Sequence, residues 1–392
     1  MPTAAAPHRP RRRGAAIVAC SIVAVAMLVG VLLPMGARRA GAATSPDVEL
    51  VASYLATLVR PDGSVLDPWA IPAAPSVTAT VDVALALAKA GSQPEALGRT
   101  LAYIEANVDA YVTEVGTNTT GRFAYLIMLA VATGHDPRAY GGSRVDLVAG
   151  LRDRYSTEEP GLYGPVNPYA SVMIHSLALL AMHAAGEPVP ADAIAWLVDQ
   201  QCDTANNSLG GWQAYRAPAG GGRAPCGVSS GTSYEGADAN STGFALQALA
   251  RLGATGGFAS AGAWLTSLQA SAATPTGGFG QYVGDDADPN STALIIQALV
   301  AMGDDPLAAR WTPASSTPLQ SLSSWIVRSG PETGAVSSPW SSGYSDFFAT
   351  YQALWGLALQ PFPLVPVLVI DPPTTGPVTD PTPFEVAPSF TG

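Results

Sequence analysis

Two kinds of segment alternate along this chain. One kind is apolar on every side: Thr78 to Gly91, Gly121 to Gly134, Asn240 to Gly253 and Asn290 to Gly303 are each fourteen residues of nearly continuous hydrophobic sequence ended by a glycine. Val166 to Gly186, containing SVMIHSLALLAMHAAG, and Ser345 to Ala358, SDFFATYQALWGLA, fill the third and sixth places in the series. The other kind is amphipathic and precedes each of these: Glu49 to Val59, Ala96 to Ala110, Arg144 to Arg154, Ala191 to Gln201, Ser260 to Ala270 and Leu319 to Arg328. A helix with no polar face has to be buried. The pattern therefore predicts six helical hairpins, the polar-faced member first. Such hairpins cannot stand alone, and six of them hide their oily faces only by closing into a ring. The predicted fold class is all-α, an (α/α)6 double barrel with the apolar helices inside, over residues 48–360.

The clearest repeat runs from Gly277 to Gly303, GGFGQYVGDDADPNSTALIIQALVAMG: a glycine-aromatic turn, an acidic loop, then one apolar helix. Asn290-Ser291-Thr292 is read as the N-cap and Gly303 as the stop. Asp238 to Gly253, DANSTGFALQALARLG, repeats this grammar, with Asn240 and Gln247 in the places of Asn290 and Gln297; in the sixth repeat Gln352 is matched to Gln297.

Both ends of the chain differ from this body. Residues 1–42 hold an arginine cluster (Arg9, Arg11, Arg12, Arg13), an uncharged apolar run from Gly14 to Ala37, and Arg38-Arg39-Ala40-Gly41-Ala42, which reads as an export signal peptide or, if uncleaved, a signal anchor. Residues 361–392 hold nine prolines and cannot be helical; Leu364 to Ile370 is apolar enough to lie along the barrel as a strap, ahead of a tail. Six of the 19 basic residues and none of the 30 acidic ones precede Ala43, which leaves the remainder at a net charge of −17. That charge disfavours nucleic acid and anionic lipid, so membrane contact is expected only through the N-terminal segment. Once Cys20 leaves with the signal, Cys202 and Cys226 remain in one glycine-rich loop of an exported protein, where a disulfide is expected; the alternative, zinc, lacks a nearby histidine. The expected location is secreted or extracytoplasmic and associated with the cell surface.

Trp196-Leu197 with Gln200 and Gly210-Gly211-Trp212, Trp264-Leu265 with Gln269 and Gly277-Gly278-Phe279, and Trp325 with Gly334 resemble the repeat of the α/α-toroid superfamily: squalene and terpene cyclases, prenyltransferase β subunits and cobalamin carriers. Tyr54-Leu55 with Gly63 keeps the pattern weakly. In that repeat a glutamine near the end of the outer helix ties to the aromatic turn after it. The resemblance covers residues 48–360 and implies the toroid fold; it does not carry an activity. In the cyclases an aspartate-rich DxDD motif heads an inner helix, and Asp288-Pro289-Asn290-Ser291-Thr292-Ala293 occupies that frame with Asn290 where the proton-donating acid would stand. An amide cannot supply that proton. The Asp, Cys and His set of the prenyltransferase zinc site is unmatched as well, and no metal or cofactor is assigned.

In the resembled toroid the inner helices run the same way, so their N-termini and the loops before them crowd one mouth. Trp212, Tyr215, Tyr234, Phe279, Tyr282, Trp340 and Tyr344 lie there with Asp238, Asp285, Asp286, Asp288, Asp346, Asn240 and Asn290. Aromatic faces beside carboxylates suit a cationic or a ring-shaped apolar ligand. The plainer reading makes Trp212 and Phe279 turn anchors and the acids helix caps. Asp285 to Asn290 also resembles a calcium loop, but Gln297 stands where its bidentate glutamate belongs. Asn118, Asn206, Asn240 and Asn290 head glycosylation sequons, and His175 and His183 read as core histidines. As catalytic acids the candidates are Asp346 among Phe347, Phe348 and Tyr351, Asp82 within an apolar helix facing Arg122, and Asp286 or Asp288. The sequence thus favours an exported protein that binds a hydrophobic small molecule or a cell-envelope component at the mouth without catalysis. The alternatives are a divergent terpene cyclase or isoprenoid transferase, or a structural surface module.

Overall fold

The computed structural model describes residues 45–113, 119–167, 170–215, 226–230, 235–272, 274–341 and 344–364. The expected signal segment, Asn118, Tyr234 and nearly all of the proline-rich tail lie outside the described residues.

Twelve α-helices among the described residues follow the predicted alternation. The amphipathic set is α1 (Pro46–Thr57), α3 (Pro94–Thr113), α5 (Leu147–Arg152), α7 (Ala191–Asp199), α9 (Phe258–Ser271) and α11 (Pro318–Ser324). The apolar set is α2 (Val77–Ala90), α4 (Thr119–Ala132), α6 (Val172–Ala184), α8 (Ala239–Arg251), α10 (Pro289–Ala301) and α12 (Phe347–Leu357). Each apolar helix packs on the next, and α12 packs on α2, so the ring closes with the apolar set inside. A short hairpin, β1 (Val65–Leu66) with β2 (Pro75–Ser76), links α1 to α2. Helices α5 and α11 are shorter than their sequence pattern suggests, because the chain leaves each for a bridge, Tyr155 with Tyr163 and Ile326 with Val336.

Among the described residues, the turns after five of the six outer helices are fastened in two ways. The glycine of each such turn is at positive φ and lies against the next outer helix or the residues leading into it: a Cβ on Gly63 would meet Arg99 O at 2.1 Å, on Gly161 Asp192 O at 2.6 Å, on Gly210 Ser260 O at 2.4 Å, on Gly277 Ser316 O at 2.4 Å, and on Gly334 Leu50 O at 2.4 Å. The last of these joins the sixth repeat to α1. Second, a threonine at the fourth position of the inner helix accepts a buried backbone N–H of the turn: Thr80 from Val65, Thr242 from Trp212, Thr292 from Phe279 and Thr350 from Val336, each at 2.9 Å. His175 has this role in α6, taking the Tyr163 N–H on Nδ1 at 3.1 Å while Nε2 meets Ala193 O at 2.9 Å. Burial moves its pKa down to about 4, as suits a neutral core histidine.

Several sequence expectations are corrected. The N-caps of α8 and α10 are Asp238 and Asp288, two residues before the asparagines, because Asp288 precedes a proline that fits the first helical turn. The glutamine tie is made by Gln269, with Gly277 O at 2.8 Å, as expected, but in the preceding repeat by Gln201, with Gly210 O at 2.8 Å, rather than by Gln200. Gln352 follows Thr350 by two positions and Gln297 follows Thr292 by five, so the two are not equivalent; Gln352 lies near the mouth. The sixth repeat has no terminal glycine, and Leu359 takes the left-handed conformation at φ 52° instead. Cys202 and Cys226 form the expected disulfide.

Gly334→Ala is expected to lower stability by at least ~2 kcal/mol, since it adds left-handed strain to a collision with backbone at the ring closure. Gly303→Ala, also at positive φ but with nothing within 4 Å, is expected to lose only about 1 kcal/mol. Urea unfolding of the pair, compared with wild type, measures the closure separately from the backbone strain.

Candidate functional site

The inner helices are sealed along most of their length, and apart from their far ends the residues that keep contact with solvent lie in the first two turns. These include Thr78 and Tyr125, Met173 and Asn240, Asn290 and Gln352, with Phe348. The ring is therefore open at the end where these helices begin and closed below. Tyr125 of α4 reaches past α2 to the Trp355 ring of α12, at 6.4 Å between centroids, which places both inside the bore.

One wall of this crater is an aromatic ladder down α12. Trp69 stacks on Phe348 at 6.0 Å, Phe348 meets Tyr351 at 5.8 Å, Tyr351 meets Trp355 at 5.0 Å, and Trp355 meets Phe362 at 5.2 Å. Their helical spacing of three and four residues stacks the α12 rings on one face.

Asp82, the sixth residue of α2, faces this ladder. It is 7 % exposed and lies beside the Tyr351 hydroxyl. Burial raises its pKa to about 8, against which the Tyr351 bond pulls only weakly, so the carboxyl is chiefly neutral at pH 7. Burial and the charge of Asp82 push the Tyr351 and Tyr125 hydroxyls up, so both remain protonated donors. Nearer the rim the Asn290 amide donates to Gln352 Oε1 at 3.0 Å. Asn290 at the rim thus carries half of an amide pair.

The floor is a plug formed by the chain after α12. Phe362 is buried, its N–H donates to Gln247 Oε1 at 2.8 Å, and its ring packs on Phe244 at 6.2 Å. Lys89, the chain's one lysine, is also buried: Nζ lies 3.4 Å from the Phe362 ring centroid and donates to Gln360 O at 2.9 Å and to Gln297 Oε1. Burial, then repulsion from Arg251, drives its pKa well down. Gln247 and Lys89, which the sequence offers as isolated polar residues in oily helices, satisfy the plug's backbone, and Gln297 holds the Lys89 ammonium in place.

Beside the crater, where the first and sixth repeats meet, lies a groove of about 790 Å³ lined by Tyr54, Arg60, Trp69, Trp340, Tyr344 and Asp346 among others. Trp69, Tyr344 and Trp340 are 75 %, 72 % and 64 % exposed. Phe348 lines this groove and joins the ladder, so groove and crater adjoin.

The expected site residues separate accordingly. Trp340, Tyr344 and Asp346 meet in the groove, and Asn290 is at the crater rim with Asn240 on the neighbouring helix. Trp212 and Phe279 are wholly buried turn anchors, the Trp212 indole donating to Leu197 O at 2.8 Å and the Phe279 ring meeting Trp311 at 6.0 Å, and Tyr282 is buried in its loop. Tyr215 pairs with Ser171 at the start of α6. Asp238 and Asp288 are buried caps whose pKa values burial raises to about 6. Asp346 caps α12 and accepts from Ser338 Oγ at 2.6 Å, and Asp286 points outward, accepting from Thr274 Oγ1 at 3.2 Å. Arg122 does not face Asp82 but donates to Tyr111 O at 3.0 Å. Of the candidate acids, Asp82 alone has a buried carboxyl that caps no helix. Trp69, Tyr125 and the Lys89 plug were missed; a tryptophan between Pro68 and Pro72 in a short loop, and a lone lysine in an oily helix, were the available signals.

No family model matches the chain, and no curated protein matches it in sequence. Solved structures do match. The unsaturated glucuronyl hydrolase of Bacillus sp. GL1 aligns over 79% of this chain and 95% of its own, with TM-score 0.56 and 15% identity. The type II terpene cyclase MstE of Scytonema, without ligand, aligns over 80% of this chain and 97% of its own, with TM-score 0.53 and 14% identity. At these identities the likeness is one of architecture: the chain has the α/α-toroid fold, in a divergent form.

The raised carboxyls set a pH dependence. Their folded forms hold protons that the unfolded chain releases near its ordinary value of 3.8, so their contribution to stability is greatest below that value and falls as pH rises, through about 6 for Asp238 and Asp288 and about 8 for Asp82. Between pH 6 and 8 Asp82 is expected to account for a loss of about 1 kcal/mol per pH unit. Asp82→Asn should be more stable than wild type at pH 7 and lose most of that slope in urea unfolding.

Proposed function

We propose that this protein is an exported, extracytoplasmic binding protein that holds an uncharged, largely apolar small molecule at the barrel mouth and performs no covalent chemistry on it. The observation that carries this reading is the continuity of exposed aromatic surface from Trp340 and Trp69 through Phe348 into a crater whose floor is sealed by Phe362. Flat apolar walls around a blind cavity, with a few polar groups converging on it, are what a ligand of ring-like shape requires. The Asn290–Gln352 pair supports binding rather than catalysis, since no acid stands where the cyclases place theirs. The disulfide supports an oxidising compartment. Nothing in this reading calls for a cofactor.

A second reading is favoured by Asp82: an acid that retains its proton to about pH 8 beside aromatic rings could protonate an alkene, as a divergent terpene cyclase or isoprenoid transferase would need. The two readings part on Asp82→Asn, which abolishes turnover but leaves an amide that still donates a hydrogen bond.

Native mass spectrometry of protein purified from its own host is expected to show a retained small molecule, unaltered after incubation. Trp69→Ala combined with Trp340→Ala is expected to weaken its retention by roughly 10- to 100-fold while leaving the unfolding midpoint close to wild type, because both rings are exposed. An empty wild-type protein, or conversion of prenyl substrates that Asp82→Asn abolishes, would overturn the binding reading.

A further inference from the structure

We infer that the base of the barrel is a second binding site, for a small aromatic carboxylate, and that residues 360–362 of the chain occupy it as a stand-in for that ligand. The site lies at the opposite end of the bore from the mouth and does not rest on the binding reading given above.

Every recognisable feature of the plug is received by a side chain of the inner ring. Gln360 O accepts from Lys89 Nζ of α2 at 2.9 Å, the Phe362 N–H donates to Gln247 Oε1 of α8 at 2.8 Å, and Phe362 O accepts from Arg251 Nε, also of α8, at 3.4 Å. The Phe362 ring has a seat of its own, with Trp355 at 5.2 Å, Phe244 at 6.2 Å and Tyr125 at 6.3 Å between centroids, and Lys89 Nζ lies 3.4 Å from its centre. A flat ring held among aromatic side chains, with one oxygen on an ammonium and another on a guanidinium, is the kind of recognition given to a bound small molecule. Here main-chain atoms receive it.

The charges of this seat point to an anion. In a chain with 30 acidic residues to 19 basic ones, neither Lys89 nor Arg251 has a carboxylate partner among the described residues. Both are met by carbonyl oxygens instead. A buried cation without an anion is costly, and burial with repulsion from Arg251 accordingly drives the Lys89 pKa well down. A carboxylate taking the place of the plug carbonyls would hold both groups charged. Lys89 is wholly buried and Arg251 is half-buried at the end of α8, so the way in is from the base.

The plug also fits its seat incompletely. Trp355 is 1 % exposed, yet its indole Nε1 has no acceptor, and the buried Gln360 Oε1 has no donor. Buried polar atoms without partners are exceptional in native proteins, and two of them border this one short segment. Its tether is strained, since Leu359 leads into it in the left-handed conformation at φ 52°. Pro361 and Pro363 bring no backbone N–H, so only Phe362 donates among those three residues and few hydrogen bonds resist displacement.

The test uses hydrocinnamate, which repeats the spacing of ring and carbonyl in Phe362 with a carboxylate in place of the peptide group, and its neutral amide. Hydrogen exchange of the full-length wild-type chain needs no variant: millimolar hydrocinnamate should speed exchange of the Phe362 N–H as the segment is displaced, and the neutral amide should not. In calorimetric titration Phe362→Ala, which clears the ring's seat, should bind hydrocinnamate roughly tenfold or more tightly than wild type does, because the internal competitor is weakened. It should prefer the acid over the neutral amide by a similar factor, and adding Lys89→Met should abolish that preference while both probes still bind through the ring. Unchanged exchange of the Phe362 N–H in wild type, or equal binding of acid and amide by Phe362→Ala, overturns the inference. Urea midpoints report whether the variants are folded, and if Phe362→Ala is not, exchange in wild type decides. None of these outcomes bears on the mouth, whose reading is tested through Trp69 and Trp340.

Discussion

Six helices without a polar face can escape water only in one another's company, and the closing contact between the last and the first decides whether the arrangement exists. Burial of these faces supplies the main driving force, but it is non-directional and would accept many packings. What fixes one packing is a set of short, directional contacts repeated around the ring. A turn glycine lies against the next outer helix where no side chain fits, and a threonine hydroxyl takes up a buried N–H that has no other partner. Gly334 against Leu50 is that contact made between the chain's two ends.

The same logic explains the polar residues inside the oily helices. An amide or amine in such a helix is tolerated only if its partners are built in. Gln247 and Lys89 meet this condition by holding the segment from Gln360 to Phe362, and Gln297 meets it by accepting from Lys89. The ring therefore does not need to be filled by large side chains along its whole axis; a returning piece of chain closes one end and leaves the other open. Phe362 is inside the bore and Leu364 is buried, while the rest of the apolar strap expected from Leu364 to Ile370 lies outside the described residues.

Much of the architecture could be read from periodicity. All twelve helices were recognisable because apolar runs of nearly constant length alternate with amphipathic ones, a pattern set by burial itself. Their caps were less legible: Asp288 and Asn290 both have capping side chains, and only the proline between them, once placed at the first helical position, shows which is the cap. The site was legible in part. Trp340, Tyr344 and Asp346 converge because they lie in one loop, close in sequence. Trp69 joins them from the far end of the chain, across the ring closure, and local pattern carries no information about such a meeting. Trp212 and Phe279 looked the same as these in sequence, yet they are buried: an aromatic that directly follows the turn glycines has its backbone N–H held by an inner-helix threonine and its ring drawn into the core, whereas Trp340 and Tyr344, further along their loop, are exposed.

Openness at one end follows from chain direction rather than from any added device. Every inner helix is entered from a loop that has just crossed from an outer helix, so the loops with their aromatic and capping residues collect at the N-terminal ends, and the short returns collect at the other end. Residues in the first two turns are thereby the ones that evolution of a ligand site can change without breaking the oily contacts below them. Asp82, Asn290, Phe348, Tyr351 and Gln352 all lie in that zone, and Leu85, Leu299 and Leu354, which seal the ring, lie beneath it. A carboxyl placed a turn deeper would have to be paired, as Lys89 is; placed a turn higher it would cap the helix, as Asp238, Asp288 and Asp346 do. At the position of Asp82 it does neither, and burial without a cationic partner is why its pKa is raised.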